Sequence, residues 1–221
     1  MLDKYMTPVI KPVLTPVVKK LHGYGITADQ LTVIGFLIGL LAVPLIAFEY
    51  WYAALAAILL NRILDGLDGA LARYAKQSSS AGGYLDITLD FLFYAAIPFG
   101  FILADPAQNA IAGSLLLATF IGTGSSFLAF AIAAEKFKID KPQFKYKSFY
   151  YLNGLTEGTE TIALFIAFCI WPQYFALFAT LFAIACTITI FTRIYGGYHT
   201  LKRQEANVHS HIETETNGAN R

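Results

Sequence analysis

The sequence has few charged residues and almost no cysteine. Only 14% of its 221 residues are Asp, Glu, Lys or Arg, against roughly a quarter in ordinary soluble domains. The two cysteines, Cys169 and Cys186, both lie in apolar stretches, which indicates small core residues rather than a disulfide. The first thirty residues lack a signal-peptide pattern, because prolines and lysines interrupt them. With 56% apolar residues, the composition is that of a membrane protein.

The apolar stretches predict an all-α, polytopic membrane protein with six transmembrane helices. Each stretch approaches the roughly 20 residues that a helix needs to cross a bilayer. The predicted spans are Leu31–Phe48, Trp51 to about Ala75, about Gly82 to Ala104, Ala110–Ala134, about Tyr150 to Ile170, and Phe175–Ile194.

Basic residues test this arrangement, because Lys and Arg gather in cytoplasmic loops. They occur before span one, between spans two and three, between spans four and five, and after span six. The loops around Glu49, Asp105 and Pro172 contain neither Lys nor Arg. The pattern predicts six spans with both termini cytoplasmic.

Two terminal segments flank this membrane domain of residues 1–200. Apolar residues alternate with lysines in residues 1–26, which predicts a juxtamembrane segment lying at the membrane interface. Prolines in this segment favour a broken helix or an irregular arm as the alternative. Residues 201–221 are polar without an apolar period, so we expect a disordered cytoplasmic tail.

Four carboxylates lie inside the predicted spans, where each ionisable group costs several kcal/mol and therefore requires a functional reason. Asp65 and Asp68 share one face of span two, and Asp86 and Asp90 are an i, i+4 pair on span three. The short loop between these spans makes them antiparallel neighbours, whose acidic faces can meet. Counting about 1.5 Å per residue places Asp65 and Asp90 about 21–22 Å from the outer surface, in the cytoplasmic third of the bilayer.

Crowded carboxylates are stabilised by protonation or by a bound cation. Ligand sets made only of oxygen favour Mg²⁺ or Mn²⁺, and this cluster could bridge two such ions. Paired metals stabilise the attacking and leaving oxygens in phosphoryl transfer, while a free carboxylate can accept the proton of the attacking hydroxyl. Arg73 on the same face as Asp65 would supply a planar cation for a diphosphate.

The spacing of these residues resembles the signature of the CDP-alcohol phosphotransferases, membrane enzymes that attach phospholipid headgroups. Eight positions match with all spacings kept: Asp65, Asp68, Gly69, Ala72, Arg73, Gly82, Asp86 and Asp90. The six-span layout is also similar, so the resemblance covers most of the chain and extends to a bacterial inner-membrane branch of the family.

This resemblance implies transfer of a phosphatidyl group from CDP-diacylglycerol to a small alcohol, with release of CMP. It implies that Asp65, Asp68, Asp86 and Asp90 hold two Mg²⁺ or Mn²⁺ ions and that Asp90 also acts as the general base. Location in the inner membrane, a homodimer, contact with membrane lipids and no nucleic-acid partner follow from it as well. The acceptor alcohol is not specified.

The resemblance also implies a nucleotide pocket. Gly69, Ala72 and Arg73 would line it, Gly82 would let the two helices approach closely, and Ser79 would contact phosphate. Thr32 resembles a residue near the nucleotide at the start of the first span. On physics alone, Gly69, Ala72 and Gly82 could equally serve close helix packing.

Two further patches have open interpretations. The segment Thr156–Thr161 could contact the acceptor alcohol. Its acids also suit a helix start, where the dipole favours negative charge, and we favour this second interpretation. The lysines of 136–147 could bind an anionic acceptor, although topology and attraction to anionic lipids explain them more simply.

The alternative function is a membrane transporter, because intramembrane acids also mark ion pathways. Transporters typically show paired repeats and broken helices near the midplane, and the sequence shows neither. A prenyltransferase that holds a diphosphate on two separated aspartate-rich motifs is a further alternative.

Overall fold

The structure, a computed structural model, describes residues 15–136, 156 and 158–219, with side chains as far as residue 206. Predictions for residues 1–14, for 137–155 with the beginning of span five, and for Glu157 lie outside the described residues. The helices are α1 (residues 15–23), α2 (Ala28–Leu40), α3 (Ala42–Ala47), α4 (Trp51–Tyr74), α5 (Ser80–Ala104), α6 (Pro106–Lys136), α7 (Gly158–Ile170) and α8 (Phe175–Ala219).

These helices confirm an all-α, polytopic membrane protein. Among the described residues, four helical segments are long and apolar enough to cross a bilayer: 28–47, 80–104, 106–136 and 172–206. Helix α4 has 24 residues and occupies the predicted span two, with its charged residues from Arg62 onward. The apolar helix α7 has 13 residues and occupies the later part of the predicted span five.

Span one is divided into two pieces that the sequence analysis does not predict. Helix α2 ends at Leu40, and α3 begins at Ala42 after a turn at Leu41. Pro44 explains the break, because proline has no backbone N–H to donate to the carbonyl of Leu40 and its ring crowds that carbonyl. The connection is nevertheless tight enough for the two pieces to cross as one segment of 20 residues.

An aromatic core packs helices α5, α7 and α8 together. Phe93, Phe101, Phe165, Phe168 and Phe175 are almost completely buried and draw α5, α7 and α8 into one cluster. The ring of Phe101 stacks on that of Phe175 with centroids 4.7 Å apart. Because lipid tails are as apolar as these side chains, close packing rather than the hydrophobic effect stabilises the association. Cys169 and Cys186 are buried free thiols, as expected of small core residues.

The N-terminal segment packs on the bundle through a smaller apolar cluster. Val18 on α1 is 2% exposed and lies in a cluster with Leu31 of α2 and with Leu67 and Leu71 of α4. The neighbouring Val17 and the two following lysines are exposed. Helix α1 therefore has an apolar side against the helices that carry the acidic residues and a basic side away from them.

The C-terminal helix differs from the sequence-based expectation. Helix α8 continues to Ala219, through residues 201–219 for which the sequence predicts disorder. Extending an existing helix adds one hydrogen bond per residue and requires no new nucleation, so a polar segment can remain helical behind an apolar span. The domain boundary near residue 200 stays a prediction.

Candidate active site

Two antiparallel helices bring three carboxylates together. Helix α4 supplies Asp65 and Asp68, and α5 supplies Asp86; one carboxylate oxygen from each lies within 4.8 Å of the others. Asp68 is 5% exposed, while Asp65 and Asp86 are half-buried. The acidic faces of the two helices therefore meet, as their periodicity indicates.

Helix α2 adds a hydroxyl to this cluster. The Oγ1 of Thr32 lies 2.5 Å from Oδ2 of Asp68 and 3.1 Å from the carbonyl oxygen of Ala28. A hydrogen bond from a hydroxyl to a carboxylate is short and strong because the acceptor is charged. Thr32 thus fixes one oxygen of Asp68 and leaves the other for a different partner.

The fourth aspartate has a different partner. An Oδ1 of Asp90 accepts a hydrogen bond of 2.8 Å from the guanidinium of Arg62, which also lies 3.6 Å from an oxygen of Asp65. Three of the four predicted metal ligands are therefore clustered, while the carboxylate of Asp90 is paired with a protein cation. The role of Asp90 as a metal ligand stays a prediction.

Arg62 is held on several sides. Its Nε donates to Oδ1 of Asn61 at 2.7 Å, and a terminal nitrogen lies 3.4 Å from the hydroxyl of Tyr94. The guanidinium also stands over the ring of Phe93, with 4.7 Å between its carbon and the ring centroid. These contacts place a cation beside the acidic cluster, one helical turn before Asp65 on α4.

Helices α2 and α4 approach each other closely, and this approach positions Asn61, which binds Arg62. Asn61 donates through Nδ2 to the carbonyl of Gly35 at 2.8 Å. A Cβ added to Gly39 would lie 2.9 Å from the side chain of Asn61 and 2.8 Å from that of Phe93. Only glycine leaves room for both neighbours, so the small residues of α2 determine where Asn61 and Arg62 lie.

All four aspartates line one cavity, together with Thr32, Asn61 and Arg62. The enclosed space between these side chains has room for about one water-sized particle, so the acidic cluster lines a narrow cleft.

The model of the CDP-alcohol phosphatidyltransferase family matches residues 25–193 of the chain. The chain belongs to this family.

Two relatives from the CDP-alcohol phosphatidyltransferase comparison match different shares of this chain. The inner membrane protein YnjF of Escherichia coli is 60% identical over 202 residues, which are 91% of this chain and 98% of that protein. The archaetidylinositol phosphate synthase of Pyrococcus horikoshii is 46% identical over 107 residues, which are 47% of this chain and 54% of that protein.

The fold also resembles that of the phosphatidylinositol phosphate synthase PgsA1 of Mycobacterium tuberculosis. A crystal structure of PgsA1 with CDP-DAG bound has a TM-score of 0.63 at 19% identity and covers 85% of this chain and 94% of the PgsA1 chain. A structure of PgsA1 in complex with manganese and citrate has a TM-score of 0.62 at 20% identity. At this identity the likeness shows the fold.

The clustered residues of this CDP-alcohol phosphatidyltransferase fit a divalent cation. Asp65, Asp68 and Asp86 offer three converging carboxylate oxygens, and hard ions such as Mg²⁺ and Mn²⁺ prefer oxygen ligands. The hydroxyl of Thr32 orients Asp68 from behind, as a supporting group outside the ligand set does in metal sites.

The signature residues Gly69, Ala72 and Arg73 follow the aspartates of α4 and do not line this cavity. The guanidinium of Arg73 lies against Gly69, where an added Cβ would be 3.2 Å from its NH1 atom. Arg73 is exposed and Ala72 is half-buried. Because none of the three lines the cavity, their predicted contact with the nucleotide stays a prediction.

Ser79 and Gly82 form the N-terminal cap of α5. The Ser79 hydroxyl accepts a hydrogen bond of 3.0 Å from the backbone N–H of Gly82. A Cβ on Gly82 would lie 3.0 Å from a carboxylate oxygen of Asp29. Gly82 therefore allows close approach of the α2 start, and Ser79 has a structural role in addition to the predicted phosphate contact.

The segment around Thr156 faces the interior of the bundle. Thr156 and Thr161 are buried, and the Thr156 hydroxyl lies 3.2 Å from that of Thr189 on α8. Glu160 lies in the first turn of α7, where a negative charge suits the helix dipole. This placement supports the favoured interpretation of the segment as a helix start.

The sequence analysis missed the contribution of Arg62 and Asn61. Both lie inside span two, and Arg62 precedes Asp65 by three residues on the same helical face. A basic residue within a membrane span signals a buried ion pair. This signal could have identified Arg62, but the pattern could not show that its main partner is Asp90, on another helix.

Proposed function

We propose that this chain transfers a phosphatidyl group from CDP-diacylglycerol to a small alcohol and releases CMP, as a step in phospholipid biosynthesis. The observation that carries the proposal is the convergence of Asp65, Asp68 and Asp86, from two adjacent helices, within a chain of the CDP-alcohol phosphatidyltransferase family. CDP-diacylglycerol is proposed as the donor because PgsA1, which has the same fold, has been solved with CDP-DAG bound.

The metal site of the proposal consists of the clustered Asp65, Asp68 and Asp86, with two Mg²⁺ or Mn²⁺ ions as the full complement. Asp90, the fourth ligand expected from the sequence, lies outside this cluster and is assigned to proton transfer instead. When bound, such ions supply electrostatic stabilisation for the attacking and leaving oxygens of a phosphoryl transfer. The carboxylates contribute the ligands from both α4 and α5, so the two helices must keep their register for the site to form.

The proton transfer of the reaction is assigned to Asp90. Its carboxylate accepts the proton from the acceptor hydroxyl, whose oxygen then forms a bond to the lipid-side phosphorus. The bond between that phosphorus and the bridging oxygen breaks, and CMP leaves with the electron pair. Arg62 supports this role, since it holds Asp90 by one oxygen.

The donor nucleotide is proposed to lie on the cytoplasmic side of the cavity. Arg73 would pair with its diphosphate, and Gly69 and Ala72 would leave room for the nucleotide beside α4. Ser79, Gly82 and Thr32 border the same region, at the beginnings of α5 and α2. The exposed position of Arg73 supports this assignment.

Both termini are proposed to be cytoplasmic, in the inner membrane, with the chain as a homodimer. The distribution of Lys and Arg supports the orientation. The relative YnjF, which shares 60% identity, is named as an inner membrane protein. The homodimer rests on the resemblance to the family.

The test is CMP release by the purified protein with CDP-diacylglycerol, Mn²⁺ or Mg²⁺, and a panel of acceptors that includes glycerol 3-phosphate, serine and inositol phosphate. Asp90→Asn should abolish transfer while the donor still binds. Asp105→Asn is the matched control, because Asp105 caps α6 far from the cluster and asparagine caps equally well. Ion flux in liposomes without CMP production would favour the transporter instead.

A further inference from the structure

A buried cation borders the acidic cavity of this chain. Arg62 has a side chain that is 15% exposed, and it lies between the two helices that carry the aspartates. Its partners come from three directions: Asn61 on its own helix, Asp90 on α5, and the rings of Phe93 and Tyr94 one turn deeper on α5. A guanidinium fixed on so many sides cannot move with a substrate.

Arg62 lies at different distances from the aspartates of the cavity. The guanidinium is 2.8 Å from Asp90 and 3.6 Å from Asp65, whereas Asp68 is bonded to Thr32 instead. The three-carboxylate cluster contains Asp65, Asp68 and Asp86, without Asp90. Asp90, the aspartate outside the cluster, is thus the one that Arg62 binds most closely.

We propose that Arg62 is a positioning residue that acts as a fixed internal cation and keeps Asp90 out of the metal site. Asp90 is thereby reserved for proton transfer, and divalent ions bind to Asp65, Asp68 and Asp86. This inference rests on the metal site of the proposed function.

Formal charges give the proposal a measurable consequence. Four carboxylates and one guanidinium leave a surplus of three negative charges around the cavity. Without the guanidinium the surplus is four, and Asp90 is free to become a further ligand. Because a charge within a few ångströms acts strongly in this low-dielectric setting, loss of Arg62 should tighten metal binding.

The experiment measures Mn²⁺ binding to the purified full-length protein, without donor or acceptor, by the loss of the free-ion signal in electron paramagnetic resonance. Arg62→Gln should bind Mn²⁺ about tenfold more tightly than the wild type. Arg62→Lys keeps the charge but not the planar fork, so it should tighten Mn²⁺ binding less than Arg62→Gln does. Arg203→Gln, which removes an exposed charge from the cytoplasmic part of α8, is the matched control and should change nothing.

A double-mutant cycle tests whether the effect passes through Asp90. In the Asp90→Asn background, Arg62→Gln should tighten Mn²⁺ binding much less than it does in the wild type. Damage to the fold would weaken binding, so a gain in affinity separates positioning from a merely structural role. An equal gain in both backgrounds, or no gain, would overturn the proposal.

A second comparison keeps the test decisive if Arg62→Gln does not fold. Asp86→Asn should weaken Mn²⁺ binding at least tenfold, whereas Asp90→Asn should weaken it by less than about threefold. Equal losses would place Asp90 among the metal ligands and refute the inference. A wild-type protein that binds Mn²⁺ but transfers nothing would contradict only the proposed reaction, and one that binds no Mn²⁺ would contradict both.

Discussion

Gly39 gives the most direct test of how helix packing builds the cavity. In Gly39→Ala, the new Cβ would lie 2.8 Å from Phe93 and 2.9 Å from Asn61, well inside ordinary van der Waals contact. Overpacking of this kind costs about 1–3 kcal/mol. Alanine recovers about 1 kcal/mol of helix propensity relative to glycine. We therefore expect a net loss of up to about 2 kcal/mol in the free energy of unfolding.

The same substitution should also lower activity. Asn61 must move to admit the methyl group, and Asn61 holds the Nε of Arg62. A shift of the guanidinium would displace Asp90, so the rate of CMP release should fall more than the loss of stability alone predicts. Adding Asn61→Ser to Gly39→Ala makes room for the methyl group but removes the contact to Arg62. This double variant should regain part of the lost stability, while its activity stays low.

Two buried thiols provide the stability assay. Cys169 and Cys186 are each 1% exposed, so a thiol-reactive fluorophore labels them only when the helices separate. Labelling during heating in detergent gives an apparent unfolding temperature. Gly83→Ala is the control, because a Cβ there meets nothing within 4 Å and should be neutral or slightly stabilising. If Gly39→Ala proves as stable and active as the wild type, the close approach of α2 and α4 is wrong.

Three further predictions concern the cavity and its cytoplasmic side. Chelation of divalent ions should abolish CMP release. The Asp86→Asn variant should require more Mn²⁺ than the wild type to reach its half-maximal rate, whereas Asp105→Asn should not. Equal metal dependence of the two variants would contradict the assignment of Asp86 as a ligand. Thr32→Val should lower the rate of CMP release about tenfold or more, since a hydrogen bond to a charged group contributes about 1.5–3 kcal/mol. Thr32→Ser keeps the hydroxyl and should retain most activity. An active Thr32→Val variant would count against the orientation of Asp68 by Thr32. Arg73→Ala should mainly weaken donor affinity, measured by equilibrium binding of CDP-diacylglycerol, and unchanged affinity would remove Arg73 from the nucleotide pocket.

Local pattern was sufficient for the helices and for the acidic faces. The apolar runs mark the membrane segments, since every helix that crosses a bilayer must satisfy its own backbone and present apolar side chains. The spacing of Asp65, Asp68 and Asp86 predicted a shared cluster, because helical periodicity and a short loop between neighbouring helices restrict where those side chains can lie.

The sequence analysis failed at three places where neighbouring residues in the chain decide the local structure. The break at Leu41 depends on Pro44, a signal that the apolar run concealed. The helical form of residues 201–219 depends on the preceding span rather than on composition. The family resemblance implies a phosphate contact for Ser79, yet the hydroxyl of Ser79 also caps α5.

The sequence by itself determined the membrane class, the family signature and the two acidic faces, because these follow from periodicities of a few residues. Tertiary structure alone decided that Arg62 pairs with Asp90, 28 positions away, and that Thr32 bonds Asp68 across 36 positions. Such partnerships depend on how closely α2, α4 and α5 approach one another, and that distance is set by the volumes of Gly35, Gly39 and Asn61 when they pack together.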